Sequence, residues 1–210
     1  MTHRAVIFDL GGVVFPSPFE AFDAYDHGND LPPGTVRGLI RGSSEEGAWA
    51  ALERGELGMD EFAVALEAEA DAAGFRLDAR RLMEMIGSSL GPRPEMARAI
   101  ERIRAHGLRT AALTNNWTDD DARSTPHPLH DMLAFDVIVE SSREGLRKPD
   151  PRIYSLVLAR LEVQASEAVF LDDLGINLKP ARAMGMTTIK VVDPHDALAE
   201  LERVLEFSLA

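Results

Sequence analysis

The chain has no cysteine, which excludes disulfides, thiolate metal sites and a cysteine nucleophile. Basic residues are in deficit: 22 Lys and Arg stand against 35 Asp and Glu, a formal net charge of −13. A surface of that sign repels nucleic acid and anionic membrane, so neither is expected as a partner. No apolar run approaches the roughly 18 residues of a membrane span. Nor does the start resemble a secretory leader, since Met1-Thr2-His3-Arg4 runs straight into a strand-like stretch. A cytoplasmic location is therefore expected. Internal repeats and low-complexity segments are also missing. What remains is 45% hydrophobic and 27% charged over 210 residues, the balance of an ordinary globular protein. That length suits one domain with an insertion, or two small domains.

The pattern along the chain is uneven. Residues 4–10 form a short apolar run read as a buried strand, broken by Gly11-Gly12. From Pro16 to about Gly91 there is no strong strand candidate, only helical patterns at 45–54, 60–73 and 78–86, with Asp60 as an expected N-cap. After Pro92 strands are expected at 108–113, 135–139, 168–171 and 187–192. Helices are expected at 94–106, 151–162, 178–184 and 195–206. Such β-α alternation predicts an α/β fold, a Rossmann-like doubly wound parallel sheet covered on both faces. The expected division is a core of residues 1–15 and 93–210, with a helical cap of residues 16–92 inserted after the first strand as a lid.

Four segments carry chemistry: Val6-Ile7-Phe8-Asp9, Ala112-Leu113-Thr114-Asn115, Lys148-Pro149 and Val169-Phe170-Leu171-Asp172-Asp173. Three of them end a β-rich stretch in a polar residue, and the carboxyl edge of an open α/β sheet is where ligands bind. Singly each has an ordinary reading: Asp9 as a loop cap, Thr114 and Asn115 as capping residues, Lys148 as a solvated loop lysine. Asp172 and Asp173 say more, because adjacent acids after an apolar strand need a cation or a lysine to stay ionised together. Together the parts suit attack on phosphorus. A carboxylate nucleophile needs its own charge and that of the phosphate neutralised by a hard divalent ion, a lysine and hydrogen-bond donors.

The order Phe-Asp-Leu-Gly-Gly-Val, Leu-Thr-Asn, Lys-Pro and Leu-Asp-Asp resembles the haloacid dehalogenase-like hydrolase superfamily over essentially the whole chain. The resemblance is strongest to the N-terminal phosphatase domain of soluble epoxide hydrolase and its relatives, through Thr114–Trp117, Lys148–Tyr154 and Val169–Arg182. It implies a Mg²⁺-dependent phosphatase acting on a small phosphorylated metabolite through an aspartyl-phosphate. Asp9 would be nucleophile and metal ligand, the Gly11 carbonyl and Asp173 further ligands, and Asp172 the holder of Lys148 or of a metal-bound water. Thr114, the Asn115 N–H and Lys148 would bind phosphate, Trp117 would line the substrate pocket, and Asn177 would support the ligands from behind.

One position departs from the family pattern. Phosphatases of the family usually carry a second Asp two residues after the nucleophile, to protonate the leaving alkoxide and then activate water; here that position is Gly11. Two alternatives stay open: a hydrolytic 2-haloacid dehalogenase, which needs no such acid, and a non-catalytic relative that binds phosphorylated ligands or a protein. The Asp172-Asp173 pair weighs against the first, and retention of the other site residues against the second. No histidine clearly substitutes, since His27 falls in the expected cap and His3, His106, His127, His130 and His195 outside the motifs. Trp49, Phe19, Arg37 and Arg41 are read as core or solvated residues, with a substrate role as the sharper alternative. Asp119-Asp120-Asp121 reads as an acidic helix start. The pattern does not define the oligomeric state.

Overall fold

A computed structural model describes residues 3–42, 45–88, 91–117 and 133–209. Five parallel strands form one sheet: β1 (Ala5–Phe8), β2 (Arg109–Thr114), β3 (Val137–Glu140), β4 (Ala168–Asp172) and β5 (Thr187–Lys190), in the order β3-β2-β1-β4-β5. β1 is central, with Phe8 registered against Ala112 on one side and Leu171 on the other. Because all strands run one way, their carboxyl ends share one edge.

Side chains alternate across the sheet, and each face buries a separate cluster. Val6, Phe8, Ala112 and Leu171 pack with Met96, Ile100 and Ile103 of α6 (Pro94–Ala105), and with Leu201 of the last helix, α10 (Pro194–Leu205). A short helix, α7 (Ser141–Glu144), follows β3; Ala5, Ile7, Leu113 and Phe170 pack with Ile153, Tyr154 and Val157 of α8 (Pro151–Leu161) and with Leu178 of α9 (Gly175–Ala183). Helices on both faces make the sheet doubly wound, and the apolar runs read from the sequence follow from burial on both sides. The strand bounds differ from expectation by at most two residues. Asp9 and Leu10 leave the first ladder, and Phe135 is buried ahead of β3 rather than within it.

Between β1 and α6 stand α1 (Pro18–Gly28), α2 (Thr35–Gly42), α3 (Ala48–Glu53), α4 (Met59–Ala72) and α5 (Ala79–Gly87). They bury their own cluster of Phe22, Tyr25, Trp49, Leu52, Phe62, Leu66 and Leu82. Local caps start several helices. Ser17, Asp78, Asp150 and Asp193 each accept a backbone N–H of the following first turn, and Pro18, Pro151 and Pro194 occupy first helical positions.

Four local readings need correction. Asp60 is not the N-cap of α4: the helix opens at Met59, Glu61 accepts the Gly58 N–H at 3.2 Å, and Asp60 lies in the first turn. Helix 45–54 shortens to Ala48–Glu53, with Gly47 in extended backbone ahead of it. α9 begins three residues earlier than Leu178, because Asp172 accepts the Leu174 N–H at 2.8 Å and turns the chain directly into a helix that contains Pro180. Finally, α1 and α2 were not anticipated.

The reason α2 escaped is tertiary. The buried carboxylate of Asp26, in α1, accepts the N–H groups of Gly34, Thr35 and Val36 at 2.8, 2.9 and 3.1 Å, so one helix caps the next. Asp26→Ala would strand three donors at a buried helix start, and a loss of about 1–3 kcal/mol is expected. Thermal unfolding checks this; an unchanged melting temperature would show the cap to be dispensable.

Candidate active site

The sheet's carboxyl edge brings together residues from four separate segments. Asp9 follows β1, and its N–H still donates to the Leu171 carbonyl at 2.9 Å. Asp172 ends β4, and Asp173 follows it. Lys148 lies ahead of α8, fully buried, with Nζ 2.8 Å from Asp9 Oδ1 and 2.7 Å from Asp172 Oδ2. Carboxylate oxygens of Asp9, Asp172 and Asp173 lie within 4.8 Å of one another.

The two oxygens of each carboxylate are used differently. Both oxygens of Asp172 are engaged: Oδ1 by the Leu174 N–H and the Asn177 amide, Oδ2 by Lys148 and again by Asn177 at 3.1 Å. Asn177 is held in turn through its carbonyl, which accepts the Tyr154 hydroxyl at 2.7 Å. On Asp9 the Leu10 N–H at 2.7 Å and Lys148 both go to Oδ1. Such partners fix the carboxylate plane and direct Oδ2 away from them.

Electrostatics make the cluster cation-hungry. Burial pushes Asp9 well above the usual carboxylate range; Lys148 pulls it back, while Asp172 and Asp173 add repulsion. Burial, then the Asp172 charge, pushes Asp173 up to about 6. Burial alone would lower Lys148, but Asp172 and Asp9 outweigh it, and the ammonium is held charged. Three carboxylates against one ammonium leave negative charge uncompensated. All-oxygen donors at this spacing suit a hard divalent cation.

The glycine pair divides its duties. Gly12 adopts φ +79°, and a Cβ there would collide with the Asp173 carboxylate, so no side chain fits. Gly11 carries no such demand: its φ is not positive, and a Cβ would meet Pro18 Cδ at 3.4 Å, an ordinary contact.

Thr114 closes β2, and among the described residues its hydroxyl reaches only the Asn115 carbonyl, at a long 3.4 Å. The Asn115 side chain clasps Lys148: Oδ1 accepts its N–H at 2.8 Å and Nδ2 donates to its carbonyl at 3.0 Å. Trp117 meets Trp49 edge-on at 5.9 Å, joining the loop after β2 to the helical block; Trp49 itself belongs to that block's core. Arg37 and Arg41 lie over the Phe19 ring at 4.5 and 5.9 Å, and Arg37 pairs with Asp23 at 2.9 Å. His3 contacts Thr187 and His106 stacks on Phe207, and neither they nor His27 and His195 hydrogen-bond a site residue. His127, His130 and Asp119–Asp121 lie outside the described residues.

Two residues at this edge went unread in the sequence, Glu53 and Arg147. The carboxylate of Glu53, on α3, meets Arg147 Nε and Nη2, each at 2.7 Å, and the Asn115 amide at 3.3 Å. In an Ala-rich helix Glu53 looks like a solvent-facing residue, and Arg147 like a loop arginine. No local signal separates them from those readings.

The family model of haloacid dehalogenase-like hydrolases matches residues 3–185. Acyl-CoA dehydrogenase family member 10 of Mus musculus is 43% identical over 99% of this chain and 20% of its own length. Bifunctional epoxide hydrolase 2 of Sus scrofa is 35% identical over 97% of this chain and 39% of its own. This chain thus spans a minor part of both relatives. A sesquiterpene phosphatase of Aspergillus oryzae is 29% identical, with 97% of each chain covered. Among solved structures, a HAD-like family hydrolase from Porphyromonas gingivalis aligns with a TM-score of 0.66 at 22% identity, covering 98% of both chains. A HAD family enzyme from Bacteroides thetaiotaomicron, in complex with magnesium and inorganic phosphate, aligns at 0.61 and 19% identity, covering 90% of this chain and 93% of that one. Among the described residues, no helix is long and apolar enough to cross a membrane.

Proposed function

The chain belongs to the haloacid dehalogenase-like hydrolase family, and from that premise we propose that it hydrolyses phosphate monoesters of small metabolites, with Asp9 as nucleophile and Mg²⁺ as cofactor. The observation that carries this reading is the Lys148 ammonium bridging Asp9 and Asp172 at 2.8 and 2.7 Å, beside a third acid. Phosphatase relatives support the substrate class.

Asp9 Oδ2 attacks phosphorus, the ester oxygen departs, and an aspartyl-phosphate forms; water then attacks that phosphorus, releasing phosphate and the free carboxylate. Lys148 offsets the charge of Asp9 and of the phosphoryl oxygens, and Asp172 keeps it in place. The Thr114 hydroxyl and the Asn115 N–H hold phosphoryl oxygens. Asp9, Asp173 and the Gly11 carbonyl would hold Mg²⁺, which when bound neutralises phosphate charge as a Lewis acid. Residues 16–92 act as a cap over this edge of a core made of residues 1–15 and 93–210, and Trp117 lies at the join between them, on the substrate side.

The test is a Mg²⁺-supplemented screen of phosphate esters for phosphate release. Halide release from a 2-haloacid without metal would replace this reading by the dehalogenase one, and silence in both assays by a binding function.

Gly11 sharpens the expectation. General acid-base help is worth about 10²–10⁴-fold, so an enzyme lacking it depends strongly on its leaving group. Aryl and glycosyl phosphates should turn over well and simple alkyl phosphates poorly. Gly11→Asp should narrow the gap, since the backbone there accepts a Cβ. A flat leaving-group dependence in the wild type would mean that another group delivers the proton.

A further inference from the structure

Glu53 belongs to the helical block, yet its buried carboxylate is engaged by four donors at the site's edge. Trp49 Nε1 donates to Oε1 at 2.9 Å, while Arg147 Nε, Arg147 Nη2 and Asn115 Nδ2 converge on Oε2. The same Asn115 grips the backbone of Lys148 on both sides, and Lys148 Nζ reaches Asp9. A polar path therefore runs from α3 to the nucleophile without a break. The turn after α3 reinforces it: Gly55, at φ +68°, lies so close to the Ser142 carbonyl that no Cβ fits. Arg147 also pairs with Glu45 at 2.9 Å.

Glu53 is a buried carboxylate that the helical block brings to this edge, where the acid missing at Gly11 would be sought. Its contacts argue otherwise. All four are N–H donors, two of them from the Arg147 guanidinium; burial raises the pKa of Glu53, and these donors oppose that rise and favour the anion. Breaking a buried pair of this kind leaves an uncompensated charge, which makes it a strong constraint on geometry even where its net contribution to stability is small.

We infer that Glu53 is a positioning residue: it latches the helical block onto the sheet edge and, through Asn115 and Arg147, seats Lys148 for reaction at Asp9. The inference rests on the phosphatase reading above. In that reading the active geometry forms only when the block is closed.

The experiment uses the full chain with Mg²⁺ and an aryl phosphate. Misplacing a reacting group by about 1 Å can cost about 10²-fold, so Glu53→Gln should lower kcat between about tenfold and 10²-fold. Both tryptophans of the chain, Trp49 and Trp117, sit at the latch, so intrinsic emission should change in the same variant. Added to Asn115→Ala, Glu53→Gln should cost nothing more, because both act through one path. A purely structural Glu53 would lower the melting temperature and leave kcat per folded molecule unchanged, which overturns the proposal; so do multiplicative losses in the double variant. Should Glu53→Gln fail to fold, Arg147→Met carries the test, with the same kcat loss expected and a wild-type kcat overturning it. Asp9→Asn run alongside separates the two readings. Full activity there sinks the phosphatase mechanism, and the emission of Glu53→Gln then decides the latch, an unchanged spectrum refuting it.

Discussion

Asp9→Asn is expected to cut phosphate-ester turnover by about 10⁴-fold or more, the scale seen when a covalent nucleophile is removed, with little change in melting temperature. The amide is nearly isosteric and can still accept from the Leu10 N–H and from Lys148 through its oxygen, so the contacts at 2.7 and 2.8 Å survive. Losing one of three crowded carboxylates also relieves repulsion that the fold otherwise carries. What the amide cannot do is attack phosphorus. Initial rates on an aryl phosphate, with thermal unfolding as control, measure both halves. Wild-type enzyme quenched during turnover should carry phosphate on the peptide containing Asp9, and the variant should not. A folded variant at the wild-type rate would end the covalent mechanism.

Chelation of divalent cations should reduce turnover by about 10²–10⁴-fold. A Lewis acid at a phosphoryl group contributes several kcal/mol of transition-state stabilisation, and each ~1.4 kcal/mol is tenfold in rate. Stability offers a second readout. A ligand bound by the folded state alone raises the melting temperature with its concentration. Burial, then repulsion from Asp172, lifts Asp173 to about 6, and a bound cation offsets both. Wild-type protein should therefore melt higher as Mg²⁺ is added, whereas Asp173→Ala should lose most of that response together with its activity. Asp172→Ala should behave differently: its oxygens are taken up by Lys148, Asn177 and Leu174, so the main damage is a displaced lysine. Full turnover in chelator would refute the metal and send the question to a halide assay.

How far the sequence alone reached follows from the range over which each feature is determined. The parallel sheet was legible because burial on both faces forces apolar runs on every strand, and a polar residue that closes such a run stands out. Asp9, Thr114 and the Asp172-Asp173 pair were singled out as candidates that way. Lys148 looked like any loop lysine until its motif was set beside the others. The demand for a second acid came from the family resemblance, while the structure places the strict glycine requirement at Gly12, where a Cβ would collide with Asp173 from a distant segment, and not at Gly11.

The order of β-rich and helical stretches thus determined the α/β class and put Asp9, Thr114 and Asp172 at the strand ends, because both are written in short windows. Only the tertiary structure decided the Asp26 cap of α2, the grip of Asn115 on Lys148 and the pairing of Glu53 with Arg147, residues 94 apart in the chain. A charged side chain in a helix or loop has the same local signature whether it meets water or a buried partner. Burial and the partner distinguish the two, and these exist only once the chain is folded.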